Sequence, residues 1–583
     1  MESRPVSLME LFNGEGQQCV VPLFQRPYTW KAKDWGLLWD DLLDCYRAAA
    51  SGKPAPPHFL GAVVTTPVSS VPAGVNKHLV IDGQQRLTTL SLLLLALRDR
   101  AKTDGSPGVA GKSQRHLINE YEDGVDRLKL RPTDEDLGPY RRLIDADESV
   151  HQDEPNSQIV KAYAFFAKEF DRVADETGQP ESLDLQRLFD AVRSGMQVVL
   201  IALGSDDDPY VIFETLNNRG QSLTEADLVR NTVLMRFEHG TGPDSPQRQA
   251  YADYWKPIER NICGDRTAAE AASDLSEFFR HSTMMDGSQT GLSGIYMAVK
   301  RTLDPLNAND LVGQLKRIRD LSKIYGSLLR PEEADESIRS SLQSIREMKL
   351  TLSYPLLMRL VDDYRQGRLD ENELSECVRS VESFLLRRVV CDVPSNQLKR
   401  LFGRFCRSLP SESQPPGATL ALLRRLMSEG TRGARWPNDL EFREAIQSEP
   451  LYSSKKFRVR VLLTGLEAAY EHKEAADPSR ATIEHLFPQT PGDDWKKSLS
   501  QSDFEQAIEL RDCLGNLTLS AYNSELGNKS WDDKLVILAE SNFDLNKSLS
   551  QAATWDASRI RERGADLAVR CSELWPGPND EAA

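Results

Sequence analysis

The chain has 583 residues, 40% of them apolar and 27% charged, an ordinary globular composition with room for about two to four domains and large cores. Its formal net charge of −16 and pI near 5.2 count against a surface uniformly built to coat nucleic acid, which needs a basic face. Local clusters at Lys455-Lys456 and Arg458 to Arg460 leave a basic groove open.

The N-terminus lacks the basic-then-apolar pattern of a signal peptide, and the longest apolar run, inside Leu87 to Leu97, is too short to span a bilayer. Eight cysteines without a Cys-x-x-Cys pair signal neither a zinc site nor a disulfide framework. They read as buried thiols, and the expected location is the cytoplasm. Residues Val6 to Phe12 suggest a short helix, and Cys19 to Phe24 a strand. Gln25-Arg26-Pro27-Tyr28-Thr29-Trp30 reads as a loop, because Pro27 restricts Arg26 and breaks the strand. A helix over Asp34 to Tyr46 and a strand over Phe59 to Thr65 follow. His78 to Ile81 is a buried strand ending at the turn Asp82-Gly83. From Gln84 the pattern turns helical, with Leu87, Leu90, Leu94 and Leu97 in register. Asp82, Gly83, Gln84, Gln85 and Arg86 therefore stand where a strand opens into a helix, a place that favours an anion. The plainer alternative is a helix start with solvated polar residues.

Gly105 to Gly111 reads as an exposed linker, and Leu128 to Thr133 as a strand entering an acidic turn at Asp134 to Asp136. Helices are expected over Ile159 to Glu176 and Asp184 to Ser194, then a strand over Gln197 to Leu203. Asn217-Asn218-Arg219-Gly220 is a polar loop before a helix opened by a Ser222–Glu225 capping box. Asn218 and Arg219 form a second cluster of donors at a helix start, and two such clusters suit the two ends of a nucleotide. From about 240 to 410 the periodicity is helical, a bundle in which no chemistry is visible, and Ser411 to Gly417 is a candidate linker. Thr482-Ile483-Glu484-His485-Leu486-Phe487-Pro488 reads as a strand ending in Glu-His and a proline stop. Leu514-Gly515-Asn516-Leu517-Thr518-Leu519, Asn523 and Gly527-Asn528-Lys529-Ser530 follow, with a helix near Trp531 to Ala539.

Three ordered motifs, VPLFQRPYTW (21–30), DGQQRLTTL (82–90) and FETLNNRGQSLTEADLVRN (213–231), resemble the N-terminal domain of the GmrSD-type modification-dependent restriction endonucleases, a phage-defence family. The stretch from about 440 to 550 resembles the family's C-terminal nuclease domain. The resemblance implies an α+β, predominantly helical chain: a ParB-like α/β domain over 1–239, a central helical bundle over 240–417, and an HNH-type ββα-metal domain with helical surround over 418–583. It implies that Asp82 to Arg86, with Asn218 and Arg219, bind and hydrolyse a nucleoside triphosphate, GTP first. Gln25, Arg26, Tyr28 and Trp30 would then sense a DNA modification such as a phosphorothioate or a modified cytosine, the plainer alternative being that Tyr28 and Trp30 simply pack under the loop. By the same match His485 is the general base, Asn516 braces its loop, and Glu484 and Asn523 bind Mg²⁺ or another divalent metal. Asn528 is the rival ligand, and Lys529 or Lys534 would contact phosphate. The expected partners are modified double-stranded DNA and nucleotide, with self-association or other defence proteins left open. The rival reading is a non-catalytic, ParB-like, nucleotide-gated DNA-binding regulator.

Overall fold

Six short strands within the first 202 positions pair into one mixed sheet. In the computed structural model these are β1 (Glu2–Ser7), β2 (Gln17–Val20), β3 (His58–Pro67), β4 (Asn76–Asp82), β5 (Leu130–Arg131) and β6 (Met196–Ala202), in the order β1-β6-β3-β4-β2-β5. The structure describes the whole chain except residues 1, 13–15, 51–57, 69–73, 177–182, 205–206, 208–211, 213–223, 238–244, 267–269, 455, 471–476 and 579–583. β1/β6 and β3/β4 are antiparallel, whereas β3/β6, β2/β4 and β2/β5 are parallel.

One large cluster takes Val63 and Val80 from the sheet together with side chains of helices Ala32–Ala50, Gln84–Thr103 and Gln158–Glu176. Leu87, Leu90, Leu92, Leu94, Leu95 and Leu97 are all fully buried, because the Gln84–Thr103 helix is apolar on nearly every side. A smaller cluster joins Val20, Val64, Leu79 and Ile81 to Leu228 of helix Glu225–Leu234.

Several expectations are corrected here. Val6 lies in β1, paired with β6, and only Leu8–Phe12 forms a 3-10 turn. The stretch taken as a linker forms helix Pro107–Arg115, since Pro107 sits at its first turn and Val109, Ala110 and Ser113 are buried. The acidic turn is the first turn of helix Asp134–Ile144, where three carboxylates meet the positive helix end. The capping box of the Glu225–Leu234 helix is Thr224 with Asp227 rather than Ser222 with Glu225. Asn218 and Arg219 lie outside the described residues.

The described residues cluster into two units, 1–255 and 256–583. The second is helical apart from one hairpin, and the architecture is α+β and predominantly helical. The boundary expected at 417 falls inside this unit. Ser411 to Gly417 is exposed, yet Arg387 of helix Glu371–Val390 is fully buried beyond it, bonded to Asp439 and to the carbonyls of Pro437 and Trp575. Of the basic cluster near 458, Arg458 is buried and Arg460 half-buried, both donating to backbone carbonyls, among them those of Leu451 and Ala481, while Lys456 is exposed. All eight cysteines are free thiols, seven of them buried. Among the described residues no helix is long and apolar enough to cross a membrane.

Candidate functional site

Strands β7 (Thr482–His485) and β8 (Leu517–Ser520) form the antiparallel hairpin of the second unit, with His485 opposite Leu517 and Glu484 opposite Thr518. Neighbouring strand residues leave on opposite faces, so Glu484 and His485 meet different surroundings. His485 is 7% exposed, with the edge of the Tyr452 ring against it, 4.5 Å between centroids at 86°. Its Nε2 lies 3.0 Å from Asp512 Oδ1. Burial lowers the imidazole pKa, and Asp512 opposes that only in part. The ring is therefore neutral at neutral pH, and a proton shared with Asp512 on Nε2 leaves the Nδ1 lone pair free to accept another.

Asn516 holds both halves of this pair in place. It is fully buried and uses both ends of its amide: Oδ1 accepts from Phe487 N at 2.7 Å and Trp555 Nε1 at 2.9 Å. Its Nδ2 donates to the carbonyls of Phe487 at 2.9 Å and Arg511 at 2.8 Å. One side chain thus ties the turn after His485 to the residue before Asp512. Gly515 makes this possible, because a Cβ there would stand 2.1 Å from the Ile560 carbonyl of helix Ala557–Leu574.

Glu484 faces Lys534 of helix Trp531–Ala539, with Nζ to Oε1 at 2.7 Å; the same ammonium donates to the His485 carbonyl at 2.6 Å. Lys534 is fully buried, so it is no surface contact for phosphate. Burial pushes the Glu484 carboxyl up and the Lys534 ammonium down, against the ion pair that holds both charged. Asn523 Nδ2 donates to the Ile483 carbonyl at 3.0 Å, while its buried Oδ1 has no hydrogen-bond partner. Asn528 is exposed in the turn before the helix. Among the described residues no group of three or more His, Cys, Asp or Glu could hold a metal. A cation here would depend on amide oxygens beside Glu484. The buried, unpartnered Asn523 oxygen next to this strand fits a hard cation, and Asn528 has no comparable feature. Sequence reading missed Asp512 and Tyr452. The only local sign of Asp512 was a carboxylate four residues before Asn516.

In the first unit the two motifs, 25–30 and 82–86, come together. Gln25 Nε2 donates to the carbonyls of Val80 and Ile81 at 2.6 and 2.9 Å. Gln84 Nε2 donates to the Arg26 carbonyl and Gln85 Nε2 to that of Pro27, while Gln85 Oε1 accepts from the backbone of Thr29 and Trp30. Arg86 reaches the Ala62 carbonyl at 2.6 Å and lies 3.9 Å from Asp82. These side chains thus bind the loop to the helix start. Tyr28 is 4% exposed, its hydroxyl bonded to Thr89 and Trp35, so it cannot stack on a base in this arrangement. Arg26 and Trp30 stay half-exposed. Gly83 caps the helix at φ +97°, where a Cβ would meet Val63 Cγ2 at 2.9 Å.

No curated protein matches the chain. Two family models do: the GmrSD restriction endonuclease N-terminal domain over residues 8–234 and the GmrSD restriction endonuclease C-terminal domain over residues 436–569. The first covers five of the six strands of the sheet, all but β1, with the loop-and-helix cluster, and the second covers the hairpin with His485, Asp512 and Asn516. The chain belongs to the GmrSD restriction endonuclease family.

Proposed function

We propose that the chain is a metal-dependent DNA endonuclease of the HNH type, regulated by a nucleoside triphosphate and acting in the cytoplasm on modified phage DNA. The family supports a DNA endonuclease in phage defence. The observation that carries the finer reading is the buried, neutral His485 with Nε2 on Asp512. In this reading Nδ1 takes the proton of the water that attacks the phosphodiester, and Asp512 stabilises the imidazolium that results. Asn516 touches no reacting atom and acts by positioning. Glu484 and Asn523 would hold the divalent metal, Mg²⁺ for an all-oxygen donor pair, which when bound supplies Lewis-acid stabilisation of phosphate charge. In the first unit GTP or another triphosphate would lie at the Gly83–Arg86 helix start, with Arg26 and Trp30 reading the DNA modification beside it.

A second reading, a nucleotide-gated DNA-binding regulator without catalysis, is favoured by one observation: Glu484 already carries a buried counter-charge in Lys534. Plasmid cleavage by purified protein, on modified and unmodified DNA with and without each nucleotide and Mg²⁺, separates the two. His485→Ala should abolish cleavage while DNA binding persists. A His485→Ala protein that cuts at the wild-type rate, with contaminating nuclease excluded, would overturn the first reading.

A further inference from the structure

We infer that a cleft in the helical part of the second unit, remote in sequence from both motifs, binds a phosphate-bearing ligand through Arg301, Arg317, Arg359 and Arg368. The cleft has a volume of about 890 Å³, within the range of about 300–1,000 Å³ typical of small-molecule sites. Its walls come from the Ser282 to Gly294 segment and from helices Ile295–Leu303, Ala308–Leu329 and Tyr354–Arg365. Apart from Met285, Leu321, Ala298 and two glycines, the lining is hydroxyl, amide and charged groups, which suits a strongly polar ligand and excludes an apolar one.

The arrangement of charge decides its sign. Asp362 and Asp363 lie at the back, with side chains 3% and 5% exposed. The guanidinium groups bonded to them stand further forward: Arg317 at 36%, Arg359 at 17% and Arg368 at 25%. Arg317 grips both oxygens of Asp362. Arg359 Nε meets Asp363 at 2.9 Å, and Arg368 reaches the same carboxylate by Nε at 2.9 Å and its terminal nitrogen at 2.6 Å. Buried carboxylates thus orient three guanidinium groups, fixing their forks before a ligand arrives.

Two carboxylates cannot spend three guanidinium groups, each with five N–H donors. Arg301, an exposed residue of the same lining, donates among the described residues only to the Met297 carbonyl of its own helix. Asp363 stands behind the lining; Asp286 is the one acid of the described lining besides Asp362, and its carboxylate accepts from the Ser288 backbone. Four guanidinium groups therefore face three carboxylates, a net positive wall in a chain of net charge −16. Half-buried Gln314 adds an amide with no side-chain hydrogen bond among those described. Planar forks held from behind, with a spare amide donor, match the oxygens of a phosphate group. The ligand is a free polyphosphate or nucleotide, or the backbone of a DNA strand, and the assignment stands whether or not His485 cuts DNA.

Site-resolved arginine modification on the full-length protein tests this. The protein is labelled with phenylglyoxal and the sites read by mass spectrometry, alone, with inorganic tripolyphosphate, with a short DNA duplex, and in sodium chloride of matched ionic strength. Protection of Arg301 and Arg317 by tripolyphosphate supports a free phosphate ligand; protection by duplex alone supports a DNA backbone. No protection beyond the chloride control by either probe overturns the proposal. Arg301→Glu removes no buried contact, so the fold should persist, and it should weaken the protecting probe about tenfold, the worth of one charge-assisted bond. Unchanged protection of Arg317 in a folded Arg301→Glu protein would equally refute it.

Discussion

Asn516→Asp isolates the positioning role of one amide, because it changes a single atom without altering volume. In the native chain Nδ2 donates at 2.9 Å to the Phe487 carbonyl and at 2.8 Å to the Arg511 carbonyl. In the aspartate both carbonyls lose their donor and face a carboxylate oxygen in a fully buried place. Leaving a buried acceptor unsatisfied costs about 1–3 kcal/mol, so the two together cost about 2–6 kcal/mol before relaxation. The carboxyl escapes by keeping its proton, which raises its folded pKa above the unfolded value. Stability lost at neutral pH should then return as pH falls towards the unfolded carboxylate pKa, at up to about 1.4 kcal/mol per pH unit. The assay is amide hydrogen exchange over 484–490, a local readout suited to a chain of two units. At pH 7 the Phe487 amide should exchange about thirtyfold to twenty-five-thousandfold faster than in the native protein, the rate equivalent of that cost. Cleavage should fall with it, since the turn after His485 and the residue before Asp512 are no longer tied. Native-like protection of Phe487 at pH 7 would refute the reasoning.

Gly83→Ala should destabilise the first unit by about 1–3 kcal/mol, because φ is +97° and the new Cβ meets Val63 at 2.9 Å; limited proteolysis of the sheet unit would show it as faster cleavage. Lys534→Met leaves Glu484 buried without its counter-charge and should cost about 3–5 kcal/mol. Millimolar Mg²⁺ should raise the melting temperature of this variant more than that of the parent, and an equal shift in both would count against a metal at Glu484. His281 is fully buried, accepts at Nε2 from Arg280, and has its pKa lowered to about 3 by burial and by that arginine. Below pH 6.5 the unfolded chain takes up a proton that the folded chain refuses, so stability should drop by about 2 kcal/mol between pH 7 and 5. Urea titrations at the two pH values measure the drop, and His281→Gln should flatten it.

The local elements were written in local patterns. Leucines at helical spacing after Asp82-Gly83 specified the Gln84–Thr103 helix, and Thr482 to His485 with Leu517 to Ser520 specified a hairpin, because each needs only its own periodicity. Where local chemistry served two structures, the sequence misled: Pro107 with its glycines read as a linker, yet a proline in a first helical turn and an apolar face against the leucine helix make it a helix. The residue types at 484, 485 and 516 pointed to nuclease chemistry, but their partners did not follow from spacing. Asp512 lies 27 positions from His485 and Lys534 50 from Glu484, and only the folding of helices onto the hairpin brings them together. The same holds for Tyr28, which by type suits base stacking but is buried through Trp35 and Thr89. In the helical region, Arg301, Arg317, Arg359 and Arg368 sit on segments that each read as an ordinary amphipathic helix or its end. Helical periodicity says which face turns inward; it carries no information on which neighbour that face meets, so the cleft exists only through tertiary packing.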